Sequence, residues 1–99
     1  MITGTSGLDE KARPKLARKA RLKLDRHTGE HWLIYPERGM RLNASAARIA
    51  ALCSGELQLS ELIERLAADS TGASRAQIEQ EAGAFLRALT ERGLLAWVK

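Results

Sequence analysis

The sequence is poor in the residues that staple, ligate or catalyse. It has one cysteine, Cys53, and two histidines, His27 and His31, in 99 residues. A single thiol cannot build an internal disulfide framework. His27 and His31 have the separation of an HExxH pair, but position 28 is Thr28 rather than glutamate and the segment reads as turn and strand, which argues against zinc. Phosphate-cradling GxxxxGK and GxGxxG runs are absent, and Gly39 and Gly55 stand alone. No Gly-x-Ser-x-Gly elbow occurs, and Ser54-Gly55 reads as a helix end. Glu61 with Glu64, and Glu79 with Glu81, are dispersed over helix surfaces as solvated charges rather than as a catalytic pair. No apolar run exceeds five residues, too short for a membrane-spanning helix. The first ten residues, MITGTSGLDE, lack the basic start and apolar stretch of a signal peptide, so a cytoplasmic location is expected.

What is present is a folded core and an uneven charge. Apolar residues make up 44 % of the chain, more than a disordered tail carries. A chain this short buries only roughly 60–65 % of its unfolded surface, which suits a binding module better than an enzyme with an enclosed pocket. The formal net charge is +4, but residues 1–53 carry +6 and residues 54–99 carry −2. Eight Lys/Arg and one acid, Asp25, fall within 11–26. Such a stretch can contact phosphate, steer an acidic peptide, or serve only as a solvated strand edge and charged lead.

Residues 1–13 lack periodicity and read as a disordered lead, with a single domain over 14–99. Ala20, Leu22 and Leu24 alternate with Arg21, Lys23 and Asp25, which predicts a strand with one wet face. A turn over 25–30 leads to a returning strand over His31–Tyr35, closed by Pro36, and a short third strand over Met40–Leu42. Alternation puts Trp32 and Tyr35 on opposite faces; Trp32 is expected in the core and Tyr35 exposed. The period then becomes 3.6. Asn43 caps a first helix with the stripe Ala46, Ala47, Ile49, Ala50 and Cys53. A second, capped by Ser60, buries Leu59, Leu62, Ile63, Leu66 and Ala67. A third over 75–92 opens on a Ser74/Gln77 capping box and buries one face through Leu89, and residues 94–98 form an extended tail. The fold class is therefore α+β, winged helix-turn-helix-like: a three-stranded antiparallel sheet, three helices and a tail.

For nucleic acid, the reading helix would be 75–92, where Arg75, Arg87 and Arg92 are offset by Glu79, Glu81 and Glu91. The positive charge lies on other elements, which argues against that partner. A peptide fits better. The third strand leaves a sheet edge to which an extended segment can add, and Arg21 and Lys23 on the wet face of the first strand can steer an acidic one.

Pro14-Lys15-Leu16-Ala17-Arg18, Arg21-Leu22, Asp25 and Trp32-Leu33-Ile34-Tyr35-Pro36-Glu37-Arg38 resemble the pyrroloquinoline quinone biosynthesis protein D (PqqD) family. Leu42-Asn43, Ala47, Ile49, Gly55, Ile63-Glu64-Arg65-Leu66-Ala67 and Gly93-Leu94-Leu95 extend the match over about 14–95. Lys19, where glycine is expected, and Ser54, where aspartate is usual, depart from the pattern. The resemblance implies a non-catalytic recognition element, without a cofactor of its own. It would hold the ribosomally made precursor peptide PqqA and present it to the radical S-adenosylmethionine enzyme PqqE. Carried onto this chain, the peptide edge is Gly39, Met40, Arg41 and Leu42, and the helix side is Ile78, Glu81, Ala82 and Phe85, with Leu89 nearby. Arg41 and Glu81 are the expected exposed contacts, while Phe85 and Leu89 can equally be core. Tyr35, Glu37 and Arg38 offer a surface for PqqE, or Glu37 and Arg38 merely order the turn as a local ion pair. A winged-helix nucleic-acid binder and a direct carrier of the quinone are the alternatives. The short strands and glycine turns also permit segment exchange in a homodimer.

Overall fold

The structure is a computed structural model that describes residues 8–70 and 72–98. In chain order the elements are β1 (Arg13–Leu16), β2 (Arg21–Leu24), β3 (His31–Tyr35), β4 (Arg38–Leu42), α1 (Ala44–Ala51), α2 (Leu59–Asp69), α3 (Arg75–Glu91) and β5 (Leu95–Val98). β2, β3 and β4 form an antiparallel sheet in that order. The β2–β3 turn is built on Asp25, whose Oδ1 accepts from the amides of His27 at 2.9 Å and Thr28 at 3.4 Å. Gly29 supplies the positive φ of 77° needed to close it. The β3–β4 turn has only two residues, Pro36 and Glu37, between the paired Tyr35 and Arg38. The third strand of the sheet thus starts two residues before the expected Met40. Proline occupies the turn, where no ladder donor is required of it, and pairing resumes at once.

One sheet with a trailing tail is corrected to two sheets. β5 is a strand, antiparallel to β1, with Arg13 opposite Val98 and Leu16 opposite Leu95. Pro14 is tolerated in β1 because a two-stranded sheet consists of edges. The other side of β1 is tied by Leu16 N–H to Cys53 O at 3.1 Å and Gly55 N–H to Pro14 O at 3.0 Å. Of the expected lead, residues 1–7 lie outside the described residues. Residues 8–12 are held: Ala12 is buried, and its carbonyl and that of Glu10 accept from the amides of Leu59 and Ser60 at 2.9 and 3.1 Å.

The helices start where side chains satisfy their first amides. Asn43 Oδ1 accepts from Ala46 N–H at 2.8 Å at the head of α1. In α3, Ser74 Oγ accepts from Gln77 N–H at 3.1 Å and Gln77 Oε1 from Ser74 N–H at 3.0 Å, the reciprocal capping box. The cap of α2 is Gln58 rather than Ser60, with Gln58 N–H donating to Glu61 Oε1 at 2.9 Å. Leu33, Leu59, Leu62, Leu86, Leu89 and Leu94 are fully buried in one core, which α1 closes over β2, β3 and β4. Leu89 is thereby core. Leu33 also sets the phase of β3: Tyr35, two residues on, packs on the core, and Trp32 takes the opposite face. The expected placement of those two aromatics is reversed, because the fit of Leu33 outweighs the larger area of tryptophan.

Candidate functional site

β2 and β4 are the edges of the three-stranded sheet. Antiparallel ladders alternate, so one bond fixes which backbone groups point where. Asp25 N–H donates to Glu30 O at 2.8 Å, which makes Asp25 and Glu30 a hydrogen-bonded pair. Along β3, Trp32 and Ile34 then turn their backbone groups toward β2, and His31, Leu33 and Tyr35 turn theirs toward β4. Their register partners Leu42, Met40 and Arg38 complete those bonds. The N–H and C=O of Gly39 and Arg41 face outward, and among the described residues no backbone bond reaches them. At the other edge the same alternation leaves Leu22 and Leu24 outward.

Side chains follow the same register. Arg21, Ile34 and Gly39 form one row of the outer face, and Lys23, Trp32 and Arg41 form the next. Three cations and two large apolar side chains therefore share this face. Arg41 is 3.6 Å from Glu30 and its side chain is 67 % exposed. Ile34 is 37 % exposed, and on the opposite face of the β2 edge Leu24 is 51 % exposed. Arg21 and Lys23 are exposed. A shallow groove beside the β2–β3 turn is lined by Lys23, Arg26, His27, Trp32 and Ile34 among others.

Of the expected peptide contacts, Gly39 and Arg41 are exposed and Met40 is half-buried on the core. Leu42 is buried, so that residue offers no side-chain surface. On α3, Glu81 is exposed, Ile78 and Phe85 are half-buried against the core, and Ala82 is fully buried. Burial removes Ala82 as a side-chain contact. Ile78 and Glu81 meet Ser45, Arg48, Ile49, Leu66, Ser70 and Ala73 at a small cavity between the three helices. Gly39–Leu42 do not line it. Arg48 pairs with Asp69 at 2.6 Å, tying α1 to the end of α2.

The surface assigned to Tyr35, Glu37 and Arg38 is partly used internally. Tyr35 packs on the core, and Glu37 pairs with Lys19 at 3.2 Å rather than with Arg38. Lys19, one of the two departures, thus fastens the approach of β2 to the β3–β4 turn through an exposed pair of small energetic weight. At the other departure, Ser54 Oγ accepts from Glu56 N–H at 3.3 Å, a role open to aspartate as well. Half-buried Trp32 and exposed Ile34 were missed as outer-face residues; the strict alternation around Leu33 was the signal for them. Burial pushes the Cys53 thiol up to about 12, which keeps it protonated and unreactive. Among the described residues no three His, Cys, Asp or Glu side chains come together as a metal site, and no helix is long and apolar enough to cross a membrane.

Comparison with known proteins points one way. The family described as coenzyme PQQ synthesis protein D (PqqD) matches residues 30–95. A protein named PqqA binding protein from Rhodopseudomonas palustris is 39 % identical over 89 residues, covering 89 % of this chain and 85 % of the relative. Another of that name from Bradyrhizobium diazoefficiens is 36 % identical over 89 residues and is covered over 84 % of its length. The solution structure of the PqqD truncation of Methylobacterium extorquens PqqCD, described as a functional, stand-alone recognition element for ribosomally synthesized and post-translationally modified peptides, superposes with a TM-score of 0.74. It is 26 % identical, and the match covers 96 % of this chain and 99 % of that one.

Proposed function

We propose a function from one premise: the chain belongs to the PqqD family. It binds a PqqA-type precursor peptide as an added antiparallel strand on β4, and delivers it to the radical S-adenosylmethionine enzyme PqqE. The observation that carries this is the pair of outward backbone positions, Gly39 and Arg41, on an exposed edge beside half-buried Met40. Strand addition draws its affinity from such backbone groups and its selectivity from alternate side chains. A peptide that runs on past β4 meets Ile78, Glu81 and Phe85 of α3 as a second, separate wall, and Arg21 and Lys23 accelerate encounter with an acidic ligand. The winged-helix-like arrangement, with β2–β4 as the wing, belongs to the same reading. The chain itself catalyses nothing, and it works in the cytoplasm.

Titration of isotope-labelled protein with synthetic R. palustris PqqA tests the binding step. Amide shifts are expected in 38–43 and 76–86. Their absence, with salt-dependent binding of duplex DNA instead, would establish the nucleic-acid alternative. For the later steps, the mass of PqqA is expected to stay unchanged with this chain alone, and its modification by PqqE to accelerate when the chain is added.

A further inference from the structure

The outer face of the β-sheet dictates what a strand added to β4 must carry. At the edge, Arg41 projects from that face and its ion-pair partner Glu30 is 3.6 Å away. An exposed pair at that distance is weak, so a ligand carboxylate can replace Glu30 at small cost. Two residues earlier Gly39 has no side chain, and Trp32 Cε3 and Ile34 Cδ1 lie 3.5 and 3.7 Å from the point its Cβ would occupy. The two β3 side chains therefore wall an apolar seat that opens at the sheet edge. Arg21 and Lys23 lie in the same two rows as Gly39 and Arg41, and the acids of this face, Asp25 and Glu30, fall in the next row. Beside Gly39 and Arg41 the face therefore favours an acidic ligand side chain over a basic one. Residues on one face of an added strand are two apart, and each meets the side chain directly opposite.

We infer that the recognised segment carries an acidic residue opposite Arg41 and a large apolar residue opposite Gly39, separated by one position. The inference rests on strand addition to β4 as proposed above. The ladders of this domain are antiparallel, and antiparallel pairing is the more stable per residue. That direction places the acid first: acidic, any residue, large apolar, from N- to C-terminus. The middle side chain turns to the opposite face, beside Met40. The apolar residue covers the gap left by Gly39 and rests on Trp32 and Ile34, and the acid takes the place of Glu30 on Arg41.

A charge-swap cycle with synthetic R. palustris PqqA tests this, read by fluorescence anisotropy with circular dichroism as the folding control. Arg41→Glu, at an exposed position, is expected to weaken binding about tenfold. Replacing one acidic residue of the peptide by lysine is expected to restore it to within about threefold, and only at one position. Truncating the peptide residue two positions later to alanine is expected to weaken binding to the wild type. The same truncation should have little effect on Gly39→Val, whose side chain fills the seat. If Arg41→Glu binds normally, or no acidic-to-lysine replacement rescues it, the inference is overturned. Amide shifts at 38–43 in that case leave strand addition standing, whereas their absence overturns both.

Discussion

Replacing Gly39 by proline separates the edge from the fold. The N–H of Gly39 points away from β3, so proline at 39 removes no ladder bond, and Cβ at this site meets Trp32 only at an ordinary 3.5 Å. The folded protein is expected to lose no more than about 1 kcal/mol, a few degrees in Tm for a domain of this size. An added strand suffers far more. Gly39 and Arg41 together offer it two donors and two acceptors; proline deletes one donor and sets its ring where the ligand carbonyl must lie. One lost bond is worth about 0.5–1.5 kcal/mol, and the stranded carbonyl adds about 1–3 kcal/mol. The dissociation constant for R. palustris PqqA should therefore rise by roughly 10- to 1000-fold. Calorimetric titration measures it, with thermal unfolding alongside. Met40→Pro is the contrast within β4, since it removes a bond to β3 and should unfold the domain or nearly so. Leu22→Pro is the contrast at the other edge, where the amide is also outward and binding should persist. A folded Gly39→Pro protein that binds the peptide as tightly as wild type would refute the reasoning.

Cys53 gives an alkaline signature. Its thiol is raised by burial to about 12 from an ordinary value near 9, so its neutral form stabilises the fold below pH 9, and that contribution is lost as pH rises from 9 toward 12. The slope is about 1.4 kcal/mol per pH unit, and denaturant unfolding of wild type against Cys53→Ala should show it only in the wild type; parallel curves would contradict it. Gly55→Ala should cost more than Gly29→Ala. Both glycines have positive φ, 85° and 77°, but a Cβ at 55 falls 3.0 Å from Lys15 Cδ and 3.3 Å from Lys15 Cβ, while at 29 nothing lies within 4 Å. The shared backbone strain is about 1–2 kcal/mol, and equal losses in urea unfolding would rule out the contact with β1. Arg21→Glu combined with Lys23→Glu should slow association with PqqA in stopped flow by about tenfold at low salt while barely changing dissociation. A change confined to dissociation would mean direct contact instead of steering.

Local rules made most of the elements readable. The Asn43 cap and the Ser74/Gln77 pair each act within a few residues, and each is found in the fold. The alternation of Ala20–Asp25 gives the strand β2 but not its buried face, since Leu22 and Leu24 lie at a sheet edge and are exposed. The β1–β5 pairing was not readable, because its partners are distant in sequence and Arg13-Pro14-Lys15-Leu16 carries a proline and no clear alternation. Gln58 and Glu61 had capping-box spacing, yet Ser60 is the stronger cap by residue type and drew the helix start two residues late. The unpaired outer edge over 39–42 was legible, but which of its residues face outward was not. Which amides point outward depends on the two-residue turn at Pro36-Glu37 and on the Asp25–Glu30 bond, and ending the hairpin at Pro36 hid that register. The reversal of Trp32 and Tyr35 has the same origin. Size favours tryptophan inside, whereas the core has room in β3 for Leu33 and its phase-mates.

The most direct measurement is amide hydrogen exchange resolved by residue, with and without PqqA. Gly39 and Arg41, whose N–H groups face away from β3, should gain protection when the peptide is added. Met40 and Leu42, already bonded to β3, should change much less. Protection at Leu22 and Leu24 with none at Gly39 and Arg41 would move the peptide to the other edge and contradict strand addition on β4.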